Sequence, residues 1–210
     1  MAKPPDWMTP HGRPWRSHAR RAIYDNPWIS LTEHEAEAPT GFRNTYGVVG
    51  FKNLAIAVLP LHEDGTVTLV GQHRFPHAGY SWEIPEGGAP LGEDPLDGAR
   101  RELREEAGLE ASVWREVMRV QLSNSVTDEV GVGFVATGLS QTAAAPDETE
   151  SLALARVPFH EALDLALQGA IPDMLSVAML LRAYHMASEG DLPRALAQAM
   201  LARSTEGEGP

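Results

Sequence analysis

The 210-residue chain is 43% hydrophobic, enough for one good-sized domain with a packed core, which argues against global disorder. Its formal net charge of −12, from 29 acidic and 17 basic residues, repels a nucleic-acid backbone, so no nucleic-acid partner is expected. It has no cysteine, which excludes disulfides, thiol nucleophiles and Cys-based zinc sites and fits a reducing compartment; a cytoplasmic location is the expectation.

Residues 1–20 are rich in Pro, Arg and Trp without a period and predict a loosely ordered arm. They contain no apolar segment of the secretory kind, and no run in the chain approaches bilayer-spanning length, so no membrane association is expected. Extended segments follow: WISLTEHEAEA from Trp28, stopped by Pro39-Thr40-Gly41, and then RNTYGVVGF. LAIAVLPL (54–61) is a short continuous apolar run and predicts a buried strand. HEDG reads as a hairpin turn, with TVTLVGQHRF (66–75) returning from it. The Gly- and Pro-rich stretch up to Asp94 reads mostly as loop, with a short strand at YSWEI.

A helix is predicted from about Pro95 to Ala107, with Asp94 as N-cap, Pro95 in the first turn and Gly108 as the stop. SVWREVMRVQLS, VGVGFVATGL and SLALARVPF read as strands, and the polar QTAAAPDETE as a loop. Amphipathic helices are predicted at 160–169 and 172–190, with a third at 192–203. Residues 1–50 are read as an arm with β-strands, 51–205 as the main domain and 206–210 as a frayed tail.

The helix ending RELREEAGL is unusual in its charge. Leu96, Ala99, Leu103 and Ala107 share a core face, and Glu102, Glu105 and Glu106 gather on an adjacent flank that faces solvent. Carboxylates at such spacings repel one another, so a local cation would relieve them. Hard divalent cations such as Mg²⁺ or Mn²⁺ suit all-oxygen ligands. The plainer reading is a solvated acidic helix neutralised by Arg100, Arg101 and Arg104.

The context separates the two. From Gly87 the chain reads Gly, five residues, Glu93, seven residues, then Arg101-Glu102-Leu103-x-Glu105-Glu106-x-Gly108-Leu109. This resembles the Nudix box at each defined position. The resemblance implies an α/β protein with the Nudix α/β/α sandwich around a mixed β-sheet, preceded by an N-terminal β-strand extension. It also implies a hydrolase of nucleoside diphosphates linked to another moiety, dependent on Mg²⁺ or Mn²⁺. By position, Glu102 and Glu106 resemble the principal metal ligands, Glu105 a third ligand or a ligand through water, and the carbonyl of Glu86 a further one. Glu93 and Arg101 resemble a structural ion pair, with Gly87 and Gly108 as structural glycines of the box.

The resemblance extends from about Pro27 to about Leu181 through NPWISLTEHEAEAPTG, GQHRFPHAGYSWEIPEGG, PDETE and the helix after Asp173. These segments are similar to the ADP-ribose and nucleoside-diphosphate-sugar pyrophosphatases. That branch implies a homodimer whose N-terminal strands roof the substrate. Trp28 and Tyr46 would stack on the base or serve as packing residues. Arg74 would face the diphosphate or ribose, and Glu83 would lie near the metals. Glu148 or Glu150 would supply a further ligand or general base. Two departures, Pro85-Glu86-Gly87 for the branch's Pro-Ala-Gly and SNSVTDE (123–129) in place of its later proline, leave hydrolysis intact. They open the substrate to ADP-ribose or another nucleotide sugar such as a GDP-hexose. The rival reading is a non-catalytic Nudix-like sensor, which the complete glutamate set and the absence of a basic segment disfavour.

Overall fold

The computed structural model describes residues 5–143 and 151–203. The chain divides into one unit of Met1–Lys52 with Ser123–Glu129 and a larger unit of Asn53–Leu122 with Val130–Pro210.

The smaller unit is an antiparallel sheet of β1 (Arg16–Asp25), β2 (Ile29–Glu37) and β3 (Arg43–Phe51), in that order. The expected loose arm is therefore strand from Arg16 onward. All ten residues of β1 are exposed, so no apolar alternation marks it in the sequence. The strand is held by its ladder to β2, from Arg16↔Glu37 to Asp25↔Ser30, with a hydrogen bond between His18 and Glu37 (3.0 Å) and an ion pair from Arg21 to Glu33 (2.8 Å). The loop Ser123–Glu129 belongs to this unit through its hydrogen bonds. Val49 N–H donates to the Val126 carbonyl at 2.9 Å, Asp128 N–H to the Val49 carbonyl at 3.2 Å, and Phe51 N–H to Asp128 Oδ1 at 2.7 Å.

In the larger unit, β4 (Asn53–Pro60) leads into β5 (Thr66–Arg74), β6 (Gly79–Glu83) and β7 (Glu86–Pro90). Helix α1 (Pro95–Ala107) follows, then β8 (Leu109–Gln121), β9 (Val130–Gln141), β10 (Ala153–Pro158), α2 (Phe159–Leu167), α3 (Met174–Ser188) and α4 (Arg194–Leu201). One sheet is mixed, with order β7-β4-β9-β8 and the β4–β9 pair parallel; the other has order β10-β5-β6.

β4 explains the layering. Ile56 and Val58 pack with Ala99, Leu103 and Ala107 of α1, while Ala57 and Leu59 pack with the side of the core formed by α2, α3 and α4. A strand covered on both faces has no polar side to alternate with, which is why it reads as an unbroken apolar run. Leu103 is fully buried, and fully burying a leucine contributes about 1.5–3 kcal/mol.

Two local expectations are corrected. EGGAP, read as loop, is strand β7, because the edge of β4 supplies an antiparallel ladder from Asn53↔Pro90 to Ala57↔Glu86. Second, β4 and β5 form a hairpin only at its base, through Leu61↔Val67, and then join different sheets. Among the described residues, no helix is long and apolar enough to cross a membrane.

Candidate active site

Helix α1 begins and ends by local chemistry. The Asp94 carboxylate accepts from Leu96 N–H at 3.0 Å, Pro95 opens the first turn, and Gly108 at φ 60° donates its N–H to the Arg104 carbonyl. A left-handed residue at this position favours glycine. Arg101 then ties the helix to what precedes it. One guanidinium nitrogen donates to Glu93 Oε1 at 2.7 Å, and another donates to the Gly88 carbonyl of β7 at 2.7 Å.

That clamp sets α1 against β7, and two carboxylates meet the strand at consecutive residues. Glu106 Oε2 accepts from the Glu86 N–H at 2.8 Å. The Glu102 carboxylate lies against Gly87 so closely that a Cβ there would overlap it. Glu105 is farther out, with its side chain 34% exposed. The expectation that all three face solvent fails for Glu106, which is only 3% exposed. Glu106 stands seven residues after Ala99, close to two full turns, so it shares the margin of the buried stripe. Among the described residues no three His, Asp or Glu side chains stand at metal-ligating spacing. The donor set is nevertheless of the right kind: two carboxylates against a backbone kept open by a glycine, all hard oxygen.

A second acidic group flanks them. The side chain of Glu86 accepts from the Ser176 hydroxyl at 3.2 Å, and that hydroxyl accepts from Ile84 N–H at 3.0 Å. Asp173 caps α3 by accepting from Ser176 N–H at 2.7 Å. Burial, followed by the neighbouring Asp173 carboxyl, pushes the Glu86 carboxyl well above the usual carboxylate range. Sequence reasoning assigns no role to Asp173 or Ser176. The available signal was the Asp-x-x-Ser spacing at the start of an apolar helix, which marks an N-terminus.

Glu83, on β6, is 1% exposed and fully engaged. Arg74 of β5 holds it at 2.5 Å and 3.3 Å, and Gln72 donates to it at 2.8 Å. Burial works against the charge of Arg74, but the bond to Glu83 and the fields of Glu86 and Glu106 hold its guanidinium more firmly protonated than usual. Arg74 and Glu83 thus act as one cross-strand pair beside the glutamates.

The structure does not bring Trp28 and Tyr46 together within one chain. Tyr46 pairs with His34 across β2 and β3, six residues beyond Trp28, a separation of about 20 Å at roughly 3.3 Å per residue. Tyr46 donates its hydroxyl to the Ser125 carbonyl and meets Trp15 edge-on at 5.3 Å. Trp28 is 65% exposed. Glu148 and Glu150 lie outside the described residues.

The chain is similar to known proteins in sequence and in fold. The family model for the NUDIX domain matches residues 52–176. The chain is 30% identical over 154 residues to an ADP-ribose pyrophosphatase of Mycobacterium tuberculosis (strain ATCC 25618 / H37Rv), covering 72% of this chain and 74% of that one. It is 31% identical over 149 residues to an ADP-ribose pyrophosphatase of Bacillus subtilis (strain 168), covering 70% and 80%. In fold it is similar to a crystal structure of an ADP compounds hydrolase, with TM-score 0.77 and 19% identity over 88% of this chain and 100% of the other.

Proposed function

The chain belongs to the NUDIX domain family, and we propose that it hydrolyses the diphosphate linkage of a nucleoside diphosphate sugar to a nucleoside monophosphate and a sugar phosphate. The observation that carries this reading is the convergence of Glu102 and Glu106 on consecutive residues of β7. Glu102 and Glu106 would hold a divalent metal, Mg²⁺ or Mn²⁺, with Glu105 as a third ligand or a ligand through water and the Glu86 carbonyl as a further one. When bound, such a metal polarises the diphosphate and lowers the pKa of an attacking water.

The remaining steps fall to the chain's own groups. Water attacks one phosphorus, the bridging P–O bond breaks, and the bridging oxygen leaves on the other phosphate. Glu105, Glu148 or Glu150 takes the proton of that water. Arg74 offers the phosphate oxygens the guanidinium N–H groups that Glu83 does not occupy, and a charged planar fork suits them. Glu93, Arg101, Gly87 and Gly108 keep helix and loop in register. The exposed indole of Trp28 stacks on the base. In a dimer, Tyr46 of a second copy joins it. The exposed apolar residues Ile23, Tyr24 and Phe42 of the N-terminal unit support that assembly. The absence of cysteine supports a cytoplasmic setting.

The test is a panel of ADP-, GDP- and UDP-sugars with Mg²⁺ or Mn²⁺, the products resolved by chromatography. Metal-dependent release of a nucleoside monophosphate is the expected result. Purified, folded protein that cleaves no member of the panel overturns the reading.

A further inference from the structure

Between Glu83 and Glu86 the chain passes from one sheet of the larger unit to the other. Val70↔Glu83 is the last pair of the β5–β6 ladder, and Ala57↔Glu86 opens the ladder of β7 on β4. Ile84 and Pro85 make the crossing. Such a crossing takes backbone groups out of one ladder before the next can pair them, and the buried ones need partners elsewhere. Pro85 has no N–H, and its carbonyl accepts from Val58 N–H at 2.9 Å. Ile84 is fully buried, and its N–H donates to the Ser176 hydroxyl at 3.0 Å. Glu86 N–H donates to Glu106 at 2.8 Å.

The crossing is thus gripped from two helices. Helix α1 holds it once, through Glu106. Helix α3 holds it twice through one hydroxyl, which accepts from Ile84 N–H and gives its own proton to Glu86 Oε1 at 3.2 Å. A serine hydroxyl has one proton and two lone pairs, so it can bridge a donor and an acceptor two residues apart. Ser176 is itself fixed. It is fully buried, its N–H is bonded to Asp173 at 2.7 Å, and Leu175, Met179 and Leu180 seat the helix around it in the core. A short side chain on so anchored a helix sets the place of the crossing rather than following it. Glu86 is then held at its side chain by Ser176 and at its backbone by Glu106, so a shift of the first contact moves the second.

We infer that Ser176 is a positioning residue of the hydrolytic site, whose hydroxyl holds Ile84 and Glu86 so that the Glu86 N–H fixes Glu106 and the Glu86 carbonyl stands in place for the metal. Ser176 acts through Glu86 and not on the metal itself. The inference rests on the metal-dependent hydrolysis proposed above and adds a contact from α3, outside the glutamate-bearing helix, on which metal affinity depends. Losing an outer partner of this kind weakens metal binding 10–100-fold in general.

The experiment uses the full chain, with Ser176→Ala, Ser176→Cys and, as a control, Met200→Ala. The thiol fills the serine's place as a much weaker partner, so the second variant serves even where alanine fails to fold. Met200 of α4 is fully buried in the same core cluster as α3, and its truncation lowers stability through lost packing alone. Mn²⁺ binding to substrate-free protein is followed by the electron paramagnetic resonance of the free ion, and hydrogen exchange of the Glu86 amide is followed on metal-free protein. Both Ser176 variants should bind Mn²⁺ about tenfold more weakly and exchange the Glu86 amide faster than Met200→Ala does. Met200→Ala should lower the thermal midpoint and bind Mn²⁺ as the wild type does. Ser176 variants with wild-type Mn²⁺ binding, or with no faster exchange at Glu86, overturn the inference, as does an equal loss of Mn²⁺ binding in Met200→Ala. A wild type that binds Mn²⁺ in a way both Ser176 variants weaken, yet cleaves no nucleotide sugar, overturns the hydrolytic reading and keeps Ser176 in its role. A wild type that binds no Mn²⁺ overturns both.

Discussion

Glu106 has two roles, as acceptor for the Glu86 N–H and as a proposed metal ligand. Glu106→Gln keeps an oxygen for the first and loses the charge needed for the second. Turnover should fall by at least ~10²-fold, since even groups that only support a ligand cost 10–100-fold. The thermal midpoint should shift by no more than about 4 °C. Near-normal turnover would remove Glu106 from the ligand set. Gly87→Ala tests the same corner from the strand side. The added methyl meets the end of a flexible Glu102 side chain, so Glu102 is displaced while β7 persists. The metal concentration for half-activation should rise ~10-fold with little change in stability; an unchanged metal requirement would show that Glu102 does not need its place against Gly87. The gathering of these glutamates along one helix was legible in the sequence, because spacing along a helix is a local property. The burial of Glu106 was legible only in part, since the stripe it borders needed β7 to close over it. The Arg74–Glu83 pair was not legible, because it depends on which residues of β5 and β6 face each other.

At the scale of elements, the hairpin that joins β4 and β5 makes a prediction about acid. Hydrogen bonds from Thr66 and then Arg156 hold the Asp64 carboxyl down at about 2, against an ordinary value of 3.8. A depressed carboxyl contributes stability above its unfolded pKa and loses it as pH falls through the folded one, here from about 3.8 to about 2. The pair is well exposed, so its contribution is no more than about 1 kcal/mol. Asp64→Asn should flatten the fall in thermal midpoint across that window, and identical pH profiles would refute the assignment. The neighbouring Gly65, at φ 78°, lies so near the Ala199 backbone of α4 that a Cβ would overlap it. Gly65→Ala should therefore destabilise by more than ~1 kcal/mol, read from denaturant unfolding. Elements with strong local signals, such as α1 with its cap and stop, were legible to the residue. β7 and β1 were not, because pairing partners distant in sequence make them strands.

For the whole molecule, the proposed assembly is a dimer, and light scattering should return twice the 22.8 kDa chain mass. A monomer at working concentration would defeat it. Trp28→Ala should raise KM by the ~1–3 kcal/mol of a stacked base and change kcat far less. Because the indole is 65% exposed, little packing is lost within the chain, and the thermal midpoint should hold. An unchanged KM for every substrate cleaved would leave Trp28 without a part in binding. The family and the layered core were readable from the glutamate-rich helix and the unbroken apolar run. The membership of residues 123–129 was not, because a polar loop carries no mark of the strand it hydrogen-bonds.

That membership constrains how such proteins can be recombined. The N-terminal sheet is not a detachable prefix, since β3 satisfies backbone groups of a seven-residue segment that arrives only after residues 53–122. A chimera that imports residues 1–52 from a relative must import 123–129 as well, or Val49 and Phe51 will meet a foreign loop. Two-piece grafts should be more stable than one-piece grafts from the same donor, and the N-terminal strands and this loop should exchange between lineages as a linked pair.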